Sequence, residues 1–191
     1  LRIDQYMVRG FSNMMPFIDG LTTNTRYTLL SPKIDPYGLE RVEVLRGPAS
    51  VLYGQNVPGG MVNLISKRPT ATPFGEMEIQ GISPTGVEGR FDFGGPVTKD
   101  GTLLYRLTGV VHDSKTQVDQ VDNKRYYLAP SFTYAPSTDT TFTVLANVQH
   151  SEDGFLAQNL PAAGTLYPAA VGRIPTNFFV GEPNFNGINK T

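Results

Sequence analysis

Between residues 76 and 149 the side chains change character at every second position, and that rhythm restricts the chain more than any other feature. Glu76, Glu78 and Gln80 alternate with Met77, Ile79 and Gly81; after Ser83-Pro84-Thr85-Gly86, Glu88, Arg90 and Asp92 alternate with Gly89, Phe91 and Phe93. Tyr105, Leu107, Gly109 and Val111 then oppose Arg106, Thr108 and His112, with Val110 the exception. Tyr126, Leu128, Phe132 and Tyr134 oppose Tyr127, Ala129, Ser131 and Thr133, and Phe142, Val144, Ala146 and Val148 oppose Thr143, Asn147 and Gln149. Neighbouring side chains of a strand point to opposite faces, so this period means strands, and five in a row predict an antiparallel meander. Pro130 has no N–H for a ladder and predicts a bulge or strained pairing in the fourth.

The alternation leaves two readings open. In a sandwich the apolar side faces a packed core; in a transmembrane barrel it faces lipid and the polar side faces a lumen. Connection lengths separate them. Residues 136–139 make a tight turn, whereas strands three and four are joined by about a dozen polar residues after Asp113, and a long loop follows Ser151. Short links at one end and long ones at the other are the habit of outer-membrane barrels. Residues 94–101 and 136–139 are then periplasmic, and residues 113–124 and those from Ser151 onward extracellular. Tyr126 and Tyr134 fall where aromatic girdles belong. No apolar run is long enough for a membrane helix, and a mean hydropathy of −0.21 suits strands that alternate.

Upstream, residues 39–69 form a different unit. Val42 and Val44 alternate with Arg41, Glu43 and Leu45; Gly47 breaks the strand, and Pro48 suits the start of a helix of one or two turns over residues 49–53, stopped by Gly54. A turn at Pro58-Gly59-Gly60 leads into a second apolar run, Met61 to Ile65, closed by Ser66-Lys67-Arg68-Pro69. Strand, short helix, glycine turn and strand make a compact α+β unit. Before it, Tyr6-Met7-Val8 is a short strand ending at Arg9-Gly10, and Asp19-Gly20 is a tight-turn dipeptide. Residues 1–75 carry eight Lys/Arg against five Asp/Glu and residues 76–191 eight against twelve, so two segments of different character are expected.

Arg46-Gly47-Pro48, residues 50–54, Pro58-Gly59-Gly60 and residues 66–69, in this order and spacing, resemble the end of the plug domain of TonB-dependent outer-membrane receptors, most closely the ferric-siderophore receptors of the ferrichrome and hydroxamate type. Val8-Arg9-Gly10-Phe11, Ile18-Asp19-Gly20-Leu21 and Ile34-Asp35-Pro36-Tyr37 agree, as do residues 93–96, 104–107 and 172–175. The resemblance implies an α+β plug at residues 1–69, a linker at 70–75, and at 76–191 the first strands, about five, of a transmembrane antiparallel β-barrel left incomplete here. Its plug motif falls on Arg9, Gly10, Gly47, Pro48, Tyr53, Gly54, Pro58, Gly59 and Gly60. It implies TonB-dependent uptake of a ferric siderophore across the bacterial outer membrane, with Met14, Met15, Arg26 and Tyr27 on loops that reach the siderophore. The iron arrives already wrapped, so no cofactor or metal is expected to bind the protein directly. TonB is expected to act through a segment before Leu1, and the chain, which starts without Met and ends in polar residues 186–191, reads as a fragment cut at both ends. The partners are the siderophore, TonB and outer-membrane lipid.

Other chemistry is poorly supported. Net charge is −1 and there is no cysteine, which argues against a nucleic-acid surface, a disulfide framework or a thiolate metal site. His112 and His150 are far apart with no ligand spacing, the glycines at 54–60 lack a following Gly-Lys-Ser/Thr, and Ser50 and Ser66 have no adjacent base. No enzyme is expected. Glu40, Arg41, Glu43 and Arg46 are crowded onto a strand that the resemblance encloses, where charge is costly unless paired. They either pair among themselves or meet Arg90, Asp92 or Arg106 on the lumen wall. A receptor for haem, cobalamin or another chelate, and a secreted β-rich binding module without transport, are the alternatives.

Overall fold

A computed structural model describes residues 6–13, 16–22, 34–47, 59–154, 160–170, 172–181 and 186–190. The helix expected over residues 49–53 lies outside them. Two short hairpins come first. β1 (Tyr6–Val8) pairs with β2 (Phe11–Asn13) and β3 (Phe17–Ile18) with β4 (Leu21–Thr22). Each turns on two residues of positive φ, Arg9 (54°) with Gly10 (82°) and Asp19 (51°) with Gly20 (82°). That is the tight hairpin turn whose twist matches its strands, with glycine at the second position where a side chain is costly.

A 3-10 turn at Pro36–Gly38 follows, capped by the Asp35 carboxylate, which accepts from the Tyr37 N–H at 2.9 Å. It delivers the chain into β5 (Leu39–Arg46), which pairs antiparallel with β6 (Gly60–Ser66). β3 lies parallel to β6 on the other side, giving a four-stranded sheet in the order β4-β3-β6-β5. β6 is central, which is why its run Met61–Leu64 is buried throughout, and Val8, Val62 and Leu64 with Ile34 and Leu39 form the apolar core. The motif residues hold this sheet. Asp19 accepts from the Ser66 N–H (3.0 Å) and hydroxyl (2.6 Å); Asn63, buried, accepts from the Gly20 N–H (3.0 Å) and donates to Glu43 (3.1 Å). A Cβ on Gly59 would strike the Val8 carbonyl, so the first hairpin can settle there only on glycine.

The rest is one antiparallel meander: β7 (Phe74–Ile82), β8 (Gly86–Pro96), β9 (Leu103–Lys115), β10 (Asp122–Ser137), β11 (Thr140–Leu145), β12 (Val148–Gly154) and β13 (Asn186–Lys190). β11 and β12 pair with β10 in the same register from Asn123 to Tyr134, so they are a single strand interrupted at Ala146-Asn147, and the Ala146 N–H donates to the Pro130 carbonyl at 3.1 Å. Pro130 keeps its place opposite Leu107 with no bulge, but on its other side the pairing lapses opposite it, at Ala146-Asn147; the register shift falls later, between Tyr134 and Ser137. One further expectation is corrected: residues 186–190, read as loop, form a further strand on β12. β7 starts at Phe74, at the end of the stretch read as linker. The sheet is open, ending at β7 and β13.

The meander is apolar outside and polar inside. Ile79 is 74% exposed and Val144 63%, whereas Asp92 is 2% and Ser151 0% exposed. Met77, Leu128, Phe132, Phe142 and Val148 share the outer face; Glu88, Arg106, Thr108, His112, Ser131 and Gln149 are buried on the inner one. A protein folded for water alone would bury the first set. The long segment between β12 and β13 returns to the β9–β10 loop, where Asn177 Nδ2 donates to Asp119 at 2.8 Å.

Candidate functional site

The four-stranded sheet lies against the inner face of the meander, and the seam between them is built from charge. At one level Asp92 of β8 collects four donors: Arg106 Nε and Nη2 (2.9 Å each), the Thr108 hydroxyl (3.1 Å) and Lys67 Nζ (2.7 Å). A fork of two parallel N–H···O bonds is the strongest geometry available to such a pair. Arg106 is on the wall and Lys67 at the end of β6, so one carboxylate ties both elements. Arg106 Nη1 also donates to the Arg68 carbonyl (3.0 Å) and to Glu40 (3.3 Å), and the guanidinium lies 5.1 Å from the Phe74 ring centre. With every strong acceptor occupied, these buried charges escape the penalty of an unpaired ion.

The second level converges on residues 35–38, fed by three wall strands. Arg125 of β10 reaches Asp35 at 2.6 Å, Nε to Oδ2, and Gln149 of β12 accepts from the Asp35 N–H at 3.2 Å. Lys67 Nζ sits 4.0 Å from the Tyr37 ring centre, and the Arg90 guanidinium of β8 lies 5.6 Å from it. Burial raises the Tyr37 phenol pKa, and Glu76 and Asp92 raise it further while Arg90 opposes them. Tyr127 of β10 presses its hydroxyl onto Gly38, where any Cβ would overlap it. Behind this layer Glu88 accepts from His112 Nδ1 (2.6 Å), Gln80 Nε2 (2.9 Å) and Arg90.

The residues singled out in the sequence separate on this map. Glu40, Asp92 and Arg106 meet at the seam. Arg90 touches the sheet through the Tyr37 ring, with Glu88 and Glu78 as its ion partners. Arg41 and Glu43 do not reach the wall: two residues apart on one face of β5, they pair with each other at 2.8 Å, and that bond holds the Glu43 carboxyl below its ordinary range. Arg46 is exposed beside Met7, Val8, Val42 and Val44 and has no ion pair among the described residues. Gly47 (φ 98°) and Gly60 (φ 132°) bracket the β5–β6 connection, and Gly47 N–H donates to the Gly59 carbonyl at 3.4 Å. Met14, Met15, Arg26, Tyr27, Pro48, Tyr53, Gly54 and Pro58 lie outside the described residues. Asp35, Tyr37, Gly38, Lys67, Thr108, Arg125, Tyr127 and Gln149 were missed as contacts. The inward rhythm of each wall strand was the available signal for the last four, and the Asp-Pro-Tyr-Gly turn for the first three.

Comparison with known proteins agrees with this arrangement. The family profile of the TonB-dependent Receptor Plug Domain matches residues 2–61. The ferrichrome outer membrane transporter/phage receptor of Escherichia coli (strain K12) is 37% identical over 95% of this chain and 25% of its own length. The ferrioxamine receptor of Yersinia enterocolitica is 34% identical over 97% of this chain and 26% of its own. The crystal structure of the ferripyoverdine receptor of the outer membrane of Pseudomonas aeruginosa, bound to ferripyoverdine, superposes with a TM-score of 0.74 at 28% identity, over 79% of this chain and 21% of that one. This chain thus spans about a quarter of the length of its curated relatives, which are receptors and transporters rather than enzymes. A sheet carrying the plug motifs, held by buried ion pairs against strands that turn their apolar sides outward, belongs to the TonB-dependent outer-membrane receptors.

Proposed function

We propose that the protein imports a ferric siderophore across the bacterial outer membrane, gated by the plug and driven by TonB. The reading rests on the inverted wall around a plug secured by charge. An apolar plug–wall interface would resist rewetting, whereas paired charges exchange partners with water at modest net cost. The relatives named for ferrichrome and ferrioxamine support a hydroxamate-type cargo. The plug is assigned to residues 1–69, the linker to 70–75 and the barrel start to 76–191, with lipid against the outer face of the wall. Met14, Met15, Arg26 and Tyr27 are assigned to the siderophore cup, which needs aromatic and polar surface rather than metal ligands, because the chelator already supplies the iron's oxygens. No resident cofactor and no catalysis are required.

The test is uptake of radio-iron-labelled ferrichrome, ferrioxamine B and haem, and of radio-cobalt-labelled cobalamin, by cells whose receptor for each is replaced by the full-length protein. Hydroxamate uptake that disappears on deletion of TonB is the expected result. Uptake of haem or cobalamin alone would reassign the cargo, and a secreted protein with no TonB-dependent phenotype would overturn the reading.

A further inference from the structure

Arg125 stands between two acids on different bodies. Its Nε lies 2.6 Å from Asp35 on the plug, while its Nη2 lies 3.5 Å from Glu88 Oε2 on the neighbouring wall strand. The shorter contact is a charge contact rather than a directed bond, since neither Arg125 Nε nor Asp35 Oδ2 completes a hydrogen bond. The other Asp35 oxygen already accepts from Tyr37. On Glu88, Oε1 is filled by Gln80 and Arg90, whereas Oε2 holds only His112 and keeps a lone pair on the side where Arg125 waits. Around these three residues His112, Gln80 and Arg90 contact Glu88, His112 and Ser151 stand opposite Arg125 in the strand register, and Gln149 accepts from the Asp35 N–H.

We propose that Arg125 is a positioning residue for transport, its guanidinium passing from Asp35 to Glu88 as the plug is released. This rests on the import function proposed above. Pulling Asp35 away without a second acceptor would leave an uncompensated cation facing the lumen, which is strongly unfavourable. Glu88 removes that penalty on the wall side, so the seam has two arrangements rather than one, as a switching element requires. The proposed ligand residues Arg26 and Tyr27 precede Asp35 by nine and eight positions in sequence, so the residue that lets go lies close along the chain to the proposed siderophore contacts.

Double-mutant cycles on the purified full-length receptor, read by thermal unfolding, decide the matter. The coupling between Arg125→Gln and Glu88→Gln is measured with Asp35 present and again with Asp35→Asn. A handoff predicts that neutralising Asp35 raises that coupling, by roughly tenfold in the equilibrium ratio; an unchanged or smaller coupling overturns it. In cells, Glu88→Gln is expected to lower the maximal uptake rate roughly five- to tenfold with half-saturation unchanged, and a change confined to half-saturation also overturns it. Should Arg125→Gln not assemble, Arg125→Lys takes its place, since one ammonium cannot span both acids. A wild-type receptor that imports none of the chelates would sink the function, while the coupling measurement still decides the handoff.

Discussion

The two larger sheets of this chain obey opposite rules. The four-stranded sheet buries Val8, Val62 and Leu64 and turns charge outward, as at Arg41 and Glu43. The meander buries Asp92, Thr108 and Ser151 and exposes Ile79, Phe142 and Val144. β5 shares the alternating pattern of the wall, whereas β6 is buried through Met61–Leu64. What differs is the medium on each side: for the meander the polar surface lies within, against the plug, and in the proposed function the outer medium is hydrocarbon. Burial of apolar surface organises the first sheet, and satisfaction of polar groups organises the contact between the two.

The sharpest way to break this contrast is at the seam. Arg106→Ala in the full-length receptor leaves Asp92 enclosed with Lys67 as its remaining cation, and is expected to cost about 3–5 kcal/mol in equilibrium unfolding. A paired Asp92→Leu/Arg106→Met variant should recover much of that loss. A single-variant cost under about 1 kcal/mol, the range of exposed pairs, would mean the seam is open to water. Next, Leu64→Ala, at a site 1% exposed, is expected to cost about 2–5 kcal/mol by the ordinary logic of a packed core.

The wall should answer differently. Val144→Arg, on a face that would tolerate it within about 0.5 kcal/mol in water, is expected to cost about 2–4 kcal/mol when the receptor folds into vesicles. The same variant measured as harmless would place that face in water. A smaller effect concerns Asn63→Ala, which strands the Gly20 N–H and is expected to cost about 1–3 kcal/mol.

The smallest effect is one of pH. Glu43 is held below its ordinary value by Arg41 in the folded state, so its contribution is present above the unfolded carboxylate pKa and is lost as pH falls through the lower folded one. Comparing wild type with Glu43→Gln between about pH 6 and about pH 3 should show the difference shrinking as acid is added; a difference that grows would reverse the assignment.

The strands of the wall were legible because a side-chain period of two survives any tertiary context. The plug sheet was legible through its turns, where Asp19, Gly20 and Gly60 take a positive φ that most residues avoid. Register was not legible. Asp35 meets Arg125, and Glu40 meets Arg106, only after two sheets have folded and docked, and nothing local encodes the pairing. Arg41 and Glu43 could meet each other or the wall, because charge on an enclosed strand needs partners, and residues two apart on one strand satisfy each other first. β13 escaped notice because its five residues carry a single apolar side chain, and its place comes from backbone pairing with β12.

The contact of Tyr127 with Gly38 has a directional consequence. A phenol resting on a bare Cα leaves no compressible side chain between the sheet and β10, so approach meets steep repulsion at once, while separation gives up only weak dispersion. Displacements of the plug at that point are therefore rectified: the wall pushes back against one sense of motion and yields to the other.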